Sequence, residues 1–246
     1  LINTNFESDN DFSFNINNKF KVKNLAINSN ILIESSQFKI NNLISKNFIK
    51  INDLVDLKDH KIKASYANKK LSIEGKGQVK LQNKFELIDY EIASNDSDLN
   101  LVSNIELSEL DIKNQNLIKK YLPKTKDILN LRDHKIKLNY KDNIISFKGL
   151  GKIKLEKELN KIEYFFSKKN EKYNFKTDLE IKDTPIKIDF INYEKDKNLN
   201  SKLIIDGNYT KKFGIDFKKI SLLSKNNKII INDLIIEEKN KIAKVD

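Results

Sequence analysis

Residues 57–92 read LKDHKIKASYANKKLSIEGKGQVKLQNKFELIDYEI, and residues 131–166 read LRDHKIKLNYKDNIISFKGLGKIKLEKELNKIEYFF. The two stretches align without a gap at an offset of 74 residues and agree at 14 of 36 positions, so a duplicated unit organises the middle of the chain. Its core is L-x-D-H-K-I-K-x-x-Y, a short turn, S-x-x-G-x-G-x-x-K-L, and a closing I-x-Y. Inside each copy the apolar residues alternate with polar ones. Ile62, Ala64 and Tyr66 interleave with Lys61, Lys63 and Ser65, and Leu71, Ile73, Val79 and Leu81 continue the pattern around Gly75 and Gly77. Ile136, Leu138 and Tyr140 repeat it, followed by Phe147 and Ile153. Period two over such segments gives a strand one apolar face and one wet face.

The same alternation runs outward from the duplicated stretch. Leu99, Leu101, Ile105 and Leu107 carry it, as do Ile186, Ile188 and Phe190, and then Ile229 and Ile231. A weaker third copy spans 183–222, with LIIDGNY at 203–209 in place of the glycine-bearing strand. One stretch has helical spacing instead. Ser108 and Asp111 resemble a capping pattern, and Leu110, Asn114, Leu117, Ile118, Tyr121 and Leu122 follow at intervals of three and four until Pro123 stops the run. A second, shorter helical patch is expected near 41–47.

The expected fold is therefore mainly β: repeated antiparallel strands forming a long, curved, groove-like sheet, with one short amphipathic helix near 108–122. The expected organisation is an N-terminal β segment at 1–56, a first repeat at 57–130 that includes the helix, a second at 131–182, and a degenerate third at 183–246. Consecutive strand repeats that each expose an apolar face fit growth of a sheet by stacking.

Composition narrows the function classes. The 246 residues contain no Met, so the chain is expected to be a processed product or a window of something longer. No Cys is present, which removes disulfides, thiolate metal sites and thiol nucleophiles. No run approaches the roughly 18–20 apolar residues of a spanning helix, so any membrane anchor is expected outside this window. The formal net charge is +11, yet 45 of the 46 basic residues are Lys and only Arg132 is Arg, with 34 Asn beside them. A nucleic-acid binder would favour Arg and cluster it. Here Lys alternates with acidic and apolar residues along the strands, so nucleic acid is not expected as a partner.

Few residues could carry chemistry. The only His, His60 and His134, recur in the repeated Asp59-His60 and Asp133-His134 pairs. As metal ligands they lack a third His; as structural residues they stand at the start of a strand, with Asp in a turn contact. Gly75-Lys76-Gly77 and Gly149-Leu150-Gly151 lie in strand patterns with no helix after them, so a phosphate loop fails and a bulge or bend is expected. No nucleophile elbow or zinc-protease motif appears. The sequence is read as a non-enzyme with no cofactor and no metal. Its apolar stripe is either ordinary core beneath a second sheet or the lining of a groove left partly open.

The repeated S-x-x-G-x-G-x-x-K-L strand pairs, the helix closing in Tyr121-Leu122-Pro123, and the final NNKIIINDLIIEEKNKIAKVD together resemble the AsmA-like family, of the YhdP and TamB type, of Gram-negative bacteria. The resemblance covers about residues 40–246. It implies a periplasmic protein, anchored in the inner membrane by a segment outside this window, whose hydrophobic groove carries phospholipid acyl chains between inner and outer membranes. It implies a lipid-binding role for Ile62, Ala64, Tyr66, Ile73, Val79, Ile136, Leu138, Tyr140, Phe147, Ile153, Ile186, Ile188 and Phe190. The sequence departs from the family in lacking the anchor and in its load of Lys and Asn. The rival readings are a structural or adhesive surface β-repeat without lipid cargo, a jellyroll lipopolysaccharide bridge, and a nucleic-acid binder.

Overall fold

The computed structural model describes residues 2–39, 54–95, 98–114, 116–188, 192–197, 199–225, 227–237 and 241–244. Phe190 and the expected helical patch near 41–47 lie outside them. The chain is mainly β. Fourteen strands follow one another in chain order through one antiparallel sheet, from β1 (Ile2–Ile16) and β2 (Val22–Lys39) to β15 (Lys228–Glu237) and β16 (Lys241–Lys244). Two-residue turns join the strands at Leu54–Ala67 and Lys70–Lys80, and those at Ile128–Lys141 and Ile144–Lys154, so much of the pairing is local in sequence.

The duplication is visible residue for residue. The first copy supplies β3 (Leu54–Ala67), β4 (Lys70–Lys80) and β5 (Phe85–Asn95). Adding 74 to these bounds gives β7 (Ile128–Lys141), β8 (Ile144–Lys154) and β9 (Leu159–Lys169). Equal spacing of apolar residues and turn residues has fixed equal strands. The turns themselves use left-handed backbone at Asn68, Lys69, Asp142 and Asn143, which suits the tight two-residue hairpins between β3 and β4 and between β7 and β8.

Two expectations are corrected here. The helix expected over 108–122 is confined to α1 (Asn116–Tyr121), because β6 (Asp98–Lys113) runs as a strand through the first six residues of that stretch. Cross-strand bonds override the helical spacing there. Asn130 donates to Glu109 at 3.0 Å and to Asp111 at 2.7 Å, and the Arg132 guanidinium lies 2.7 Å from Glu109. The third repeat is the other correction: Ile186 and Ile188, expected to begin it, lie outside the main sheet. They form β11 (Ile186–Ile188), which pairs only with β12 (Tyr193–Lys195) in a two-stranded sheet of its own, while β10 (Lys172–Ile181) pairs directly with β13 (Ser201–Thr210). Asp183 accepts the backbone N–H groups of Lys157 and Glu158, both at 3.0 Å, and Pro185 follows, so the chain leaves the sheet at this point.

The residues divide into two compact units. The first holds β1 to β5, β6 as far as Leu107, and Lys137–Asn143 of β7; the second holds the rest of β6 and β7, α1, and β8 to β16, among them β14 (Gly214–Ser224). In the second unit, Leu122, Leu129, Ile153, Leu155, Leu179, Ile181, Ile186 and Leu222 form a buried cluster, with Ile188 packed against it. The β11–β12 hairpin thus covers one end of that unit's apolar face. Each of the cluster's large side chains gains roughly 1.5–3 kcal/mol from leaving water.

Candidate functional site

Antiparallel register assigns side chains to faces with no freedom left. In the first unit, Ser8, Ile31, Ile62, Gly75, Tyr90 and Ser103 are successive cross-strand partners from β1 to β6 and share one face. The neighbouring row is Asn10, Ser29, Ala64, Ile73, Ile92 and Leu101, and the next is Phe12, Ile27, Tyr66, Leu71, Ser94 and Leu99. At about 4.8 Å per strand, six strands give each row a length of about 24 Å. Ile31, Ile62, Ala64, Tyr66, Ile73, Tyr90 and Ile92 are half-buried.

A recess of roughly 890 Å³ lies over the first of these rows. Its lining comes in triplets centred on Ser8, Ile31, Ile62, Gly75 and Tyr90, the residues whose side chains share the face. Gly75 deepens it. The Tyr90 ring lies across that glycine, so close that a Cβ there would stand 2.3 Å from the ring.

The repeated Asp-His and Gly-x-Gly motifs meet in a single structural device. Asp59 and Asp133 both adopt left-handed backbone with φ of 53°, and the β3–β4 register slips between Lys58 and Lys61. The bulge sits on the Asp and not, as expected, on the glycines. It turns the following His inward. His60 packs on Gly77 and His134 on Gly151, each His Nε2–H donating at 2.9 Å to a backbone carbonyl, Gln78 in one copy and Lys152 in the other. Tyr90 and Tyr164 fill the space over Gly75 and Gly149 beside them. The copies differ in one bond: Tyr164 O–H donates to His134 Nδ1 at 3.3 Å, whereas the buried Nδ1 of His60 has no partner among the described residues. Burial pushes Tyr164 up to about 12.

Burial also holds His134 below the ordinary imidazole value. Above pH about 6.5 the ring is neutral in folded and unfolded chain alike; below it the unfolded chain takes up a proton that the folded chain resists. Stability is therefore expected to fall as pH drops from 7 towards 5.5. Thermal melts across that range check it, and His134→Gln should flatten the dependence.

The residues singled out from sequence do not form one site. Ile62, Ala64, Tyr66 and Ile73 lie on the half-exposed face of the first unit, with Val79 on the same face and buried. Leu138 and Tyr140 alternate on β7 in that unit, and Tyr140 O–H donates to Asn143 at 3.0 Å. Ile136, Phe147 and Ile153 belong to the second unit. There Phe147 lies in a row with Phe166, Phe175, Gly207 and Phe217, stacked on Phe166 with ring centroids 4.8 Å apart. Ile153 and Ile186 belong to the buried cluster and Ile188 packs against it, so their expected place in an open groove is corrected. The lining residues that the sequence reading passed over, Ile31 and Tyr90, carried a signal in the alternation of β2 and in the closing I-x-Y.

Among the described residues, no group of three His, Cys, Asp or Glu is placed to hold a metal ion. Among them also no helix is long and apolar enough to cross a membrane, which leaves strands aside. Comparison with protein-family models, with curated proteins and with solved structures finds no match to this chain.

Proposed function

We propose that the open apolar face binds the hydrocarbon chains of lipids, as the conducting groove of an AsmA-like protein in phospholipid transport between the inner and outer membranes. The observation that carries this reading is the recess over Ser8, Ile31, Ile62, Gly75 and Tyr90, bordered by half-exposed apolar side chains. A row about 24 Å long exceeds the roughly 15 Å of one leaflet's hydrocarbon, half of a core about 30 Å thick. Each CH₂ laid on it gains roughly 0.8 kcal/mol, and movement from one strand to the next exchanges similar contacts. The work is binding and lateral passage, without catalysis or a cofactor. A periplasmic location, the inner-membrane anchor outside this stretch and a role in outer-membrane biogenesis belong to the same proposal.

The buried cluster of the second unit favours a second reading, a structural or adhesive surface β-repeat without cargo, because there the apolar face is covered by the chain itself. Native mass spectrometry with lipid extraction, on protein purified gently from a membrane-containing host, separates the two. Phospholipid is expected to accompany the protein. Ile62→Asp should reduce its occupancy about tenfold or more, since a carboxylate against hydrocarbon costs well over the ~1.4 kcal/mol that tenfold represents. Circular dichroism checks that this variant keeps its strands. Lipid-free protein, or full occupancy in folded Ile62→Asp, would sink the lipid reading and leave the structural repeat.

A further inference from the structure

We infer that the tip of the β1–β2 hairpin docks on an anionic phospholipid surface, with Phe20 entering the boundary between headgroups and hydrocarbon and Lys19, Lys21 and Lys23 meeting the phosphates. The tip stands clear of the neighbouring strand. Pairing of β2 with β3 begins only at Ala26 with Ala67, so β2 from Val22 to Leu25 and the turn before it project past the end of β3 by on the order of 10 Å. Residues 18–25 are all exposed. The turn is built on Asn17, whose side-chain oxygen accepts the backbone N–H groups of Lys19 at 3.0 Å and Lys21 at 2.9 Å. Its own backbone N–H donates to the Lys21 carbonyl at 3.1 Å, and its carbonyl accepts the Phe20 N–H at 2.9 Å. A tip whose backbone groups are satisfied within itself can leave water without stranding them.

Phe20 is the residue that such a turn has least physical reason to hold. It is 90% exposed, and its backbone is left-handed with φ of 54°. Among the described residues twelve non-glycine positions are left-handed: ten are Asn or Asp, one is Lys69, and the last is Phe20. A bulky ring is disfavoured both in that conformation and in water, and strain of this kind persists at sites of function. Phe14, Ile16 and Val22 stand behind it, each more than half exposed, with Ile16 and Val22 a cross-strand pair. The charge around these side chains has one sign. No Asp or Glu occurs from Phe12 to Ile33, although the chain holds 35 of them, and Lys19, Lys21 and Lys23 have no carboxylate partner among the described residues. A projecting finger that sets apolar side chains between lysines suits a yielding medium, whose phosphates meet the ammonium groups as the ring enters. An acidic protein surface would instead need a cavity shaped to Phe20. The turn closes on its own hydrogen bonds, independently of either sheet edge and of the lipid reading of the recess.

The test sediments the whole chain with vesicles of phosphatidylcholine and phosphatidylglycerol in equal parts, and with vesicles of phosphatidylcholine alone. Binding to the mixed vesicles should be tighter by about tenfold or more and should weaken as salt rises. Phe20→Asn should weaken it about tenfold while thermal stability stays level or rises, because Asn tolerates left-handed backbone. A role of Phe20 in the fold would move stability the other way. Changing Lys19, Lys21 and Lys23 together to Ala should abolish the preference for phosphatidylglycerol. The same change at Lys169, Lys172 and Lys211, exposed elsewhere, should leave that preference in place. The chain has no Trp, so Phe20→Trp supplies a single reporter whose emission should shift to the blue on mixed vesicles. Ile62→Asp, which tests the recess, should leave vesicle binding intact. Absence of sedimentation, full binding by Phe20→Asn, an unshifted Trp emission, equal loss in both lysine variants, or loss in Ile62→Asp would overturn the inference. Binding to a poly-glutamate peptide in place of vesicles would also overturn it, by making an acidic protein segment the partner.

Discussion

Replacing Lys195 by Met is expected to lower stability by about 2 kcal/mol and to loosen the β11–β12 hairpin while leaving the main sheet in place. Lys195 is almost fully buried, and its three ammonium protons meet three backbone carbonyls: Thr184 at 2.9 Å, Asp196 at 3.2 Å and Lys182 at 3.5 Å. Burial holds its pKa below the usual lysine value, with Asp183 and Asp196 acting in the opposite sense. A buried charge is tolerated where its donors are all used, and here they are. Met keeps the length and most of the packing but strands the carbonyl of Thr184, a residue with no exposed surface. A stranded acceptor costs roughly 1–3 kcal/mol. Denaturant unfolding gives the total loss. Hydrogen exchange at residues 182–196 gives its location, which should be the hairpin, because the three carbonyls lie on the segments that flank it. Exchange rising equally in β8 and β9 would show that Lys195 supports the sheet as a whole instead.

Gly151→Val should cost about 2–3 kcal/mol, a large penalty for adding three carbons, because the space over that glycine is already full. A Cβ at Gly151 would stand 2.3 Å from the His134 ring, and one at Gly149 would stand 2.2 Å from the Tyr164 ring. His134 cannot move away cheaply, since its Nε2–H is held by the Lys152 carbonyl and its Nδ1 by Tyr164. Shortening the ring should relieve the clash. The double variant Gly151→Val with His134→Ala is therefore expected to lose clearly less than the sum of the two single losses, by about 1 kcal/mol or more. Additive losses in urea unfolding would mean that the ring and the glycine do not share the space that the structure gives them.

The Gly-x-Gly motif shows how far sequence reading carries and where it stops. Its recurrence at an offset of 74, in step with Asp-His and with I-x-Y, marked these residues as one unit, and their period-two setting excluded a phosphate loop. That Tyr90 and His60 were the reason for the two glycines was not legible, since those rings come from the strands on either side of β4. The helix is shorter than its spacing predicts for a related reason. Leu110 stands four residues before Asn114, a helical interval, and two before Ile112, a strand interval, and the choice lay with Asn130 and Arg132 on the neighbouring strand. Lys195 gave no sign at all among 45 lysines.

Local order was thus the sequence's own work: alternation set which segments are strands, turn residues set where they end, and the duplication set equal bounds for β3 to β5 and β7 to β9. Tertiary structure alone decided what covers what. An apolar row reads the same whether water, lipid or another element lies over it. The path of β11 and β12 buried Ile153, Ile186 and Leu222 in the second unit, while in the first unit Ile62 and its row stayed half-exposed beneath the recess. Alternation is a property of neighbours along the chain, whereas cover is a property of contacts between residues far apart in it.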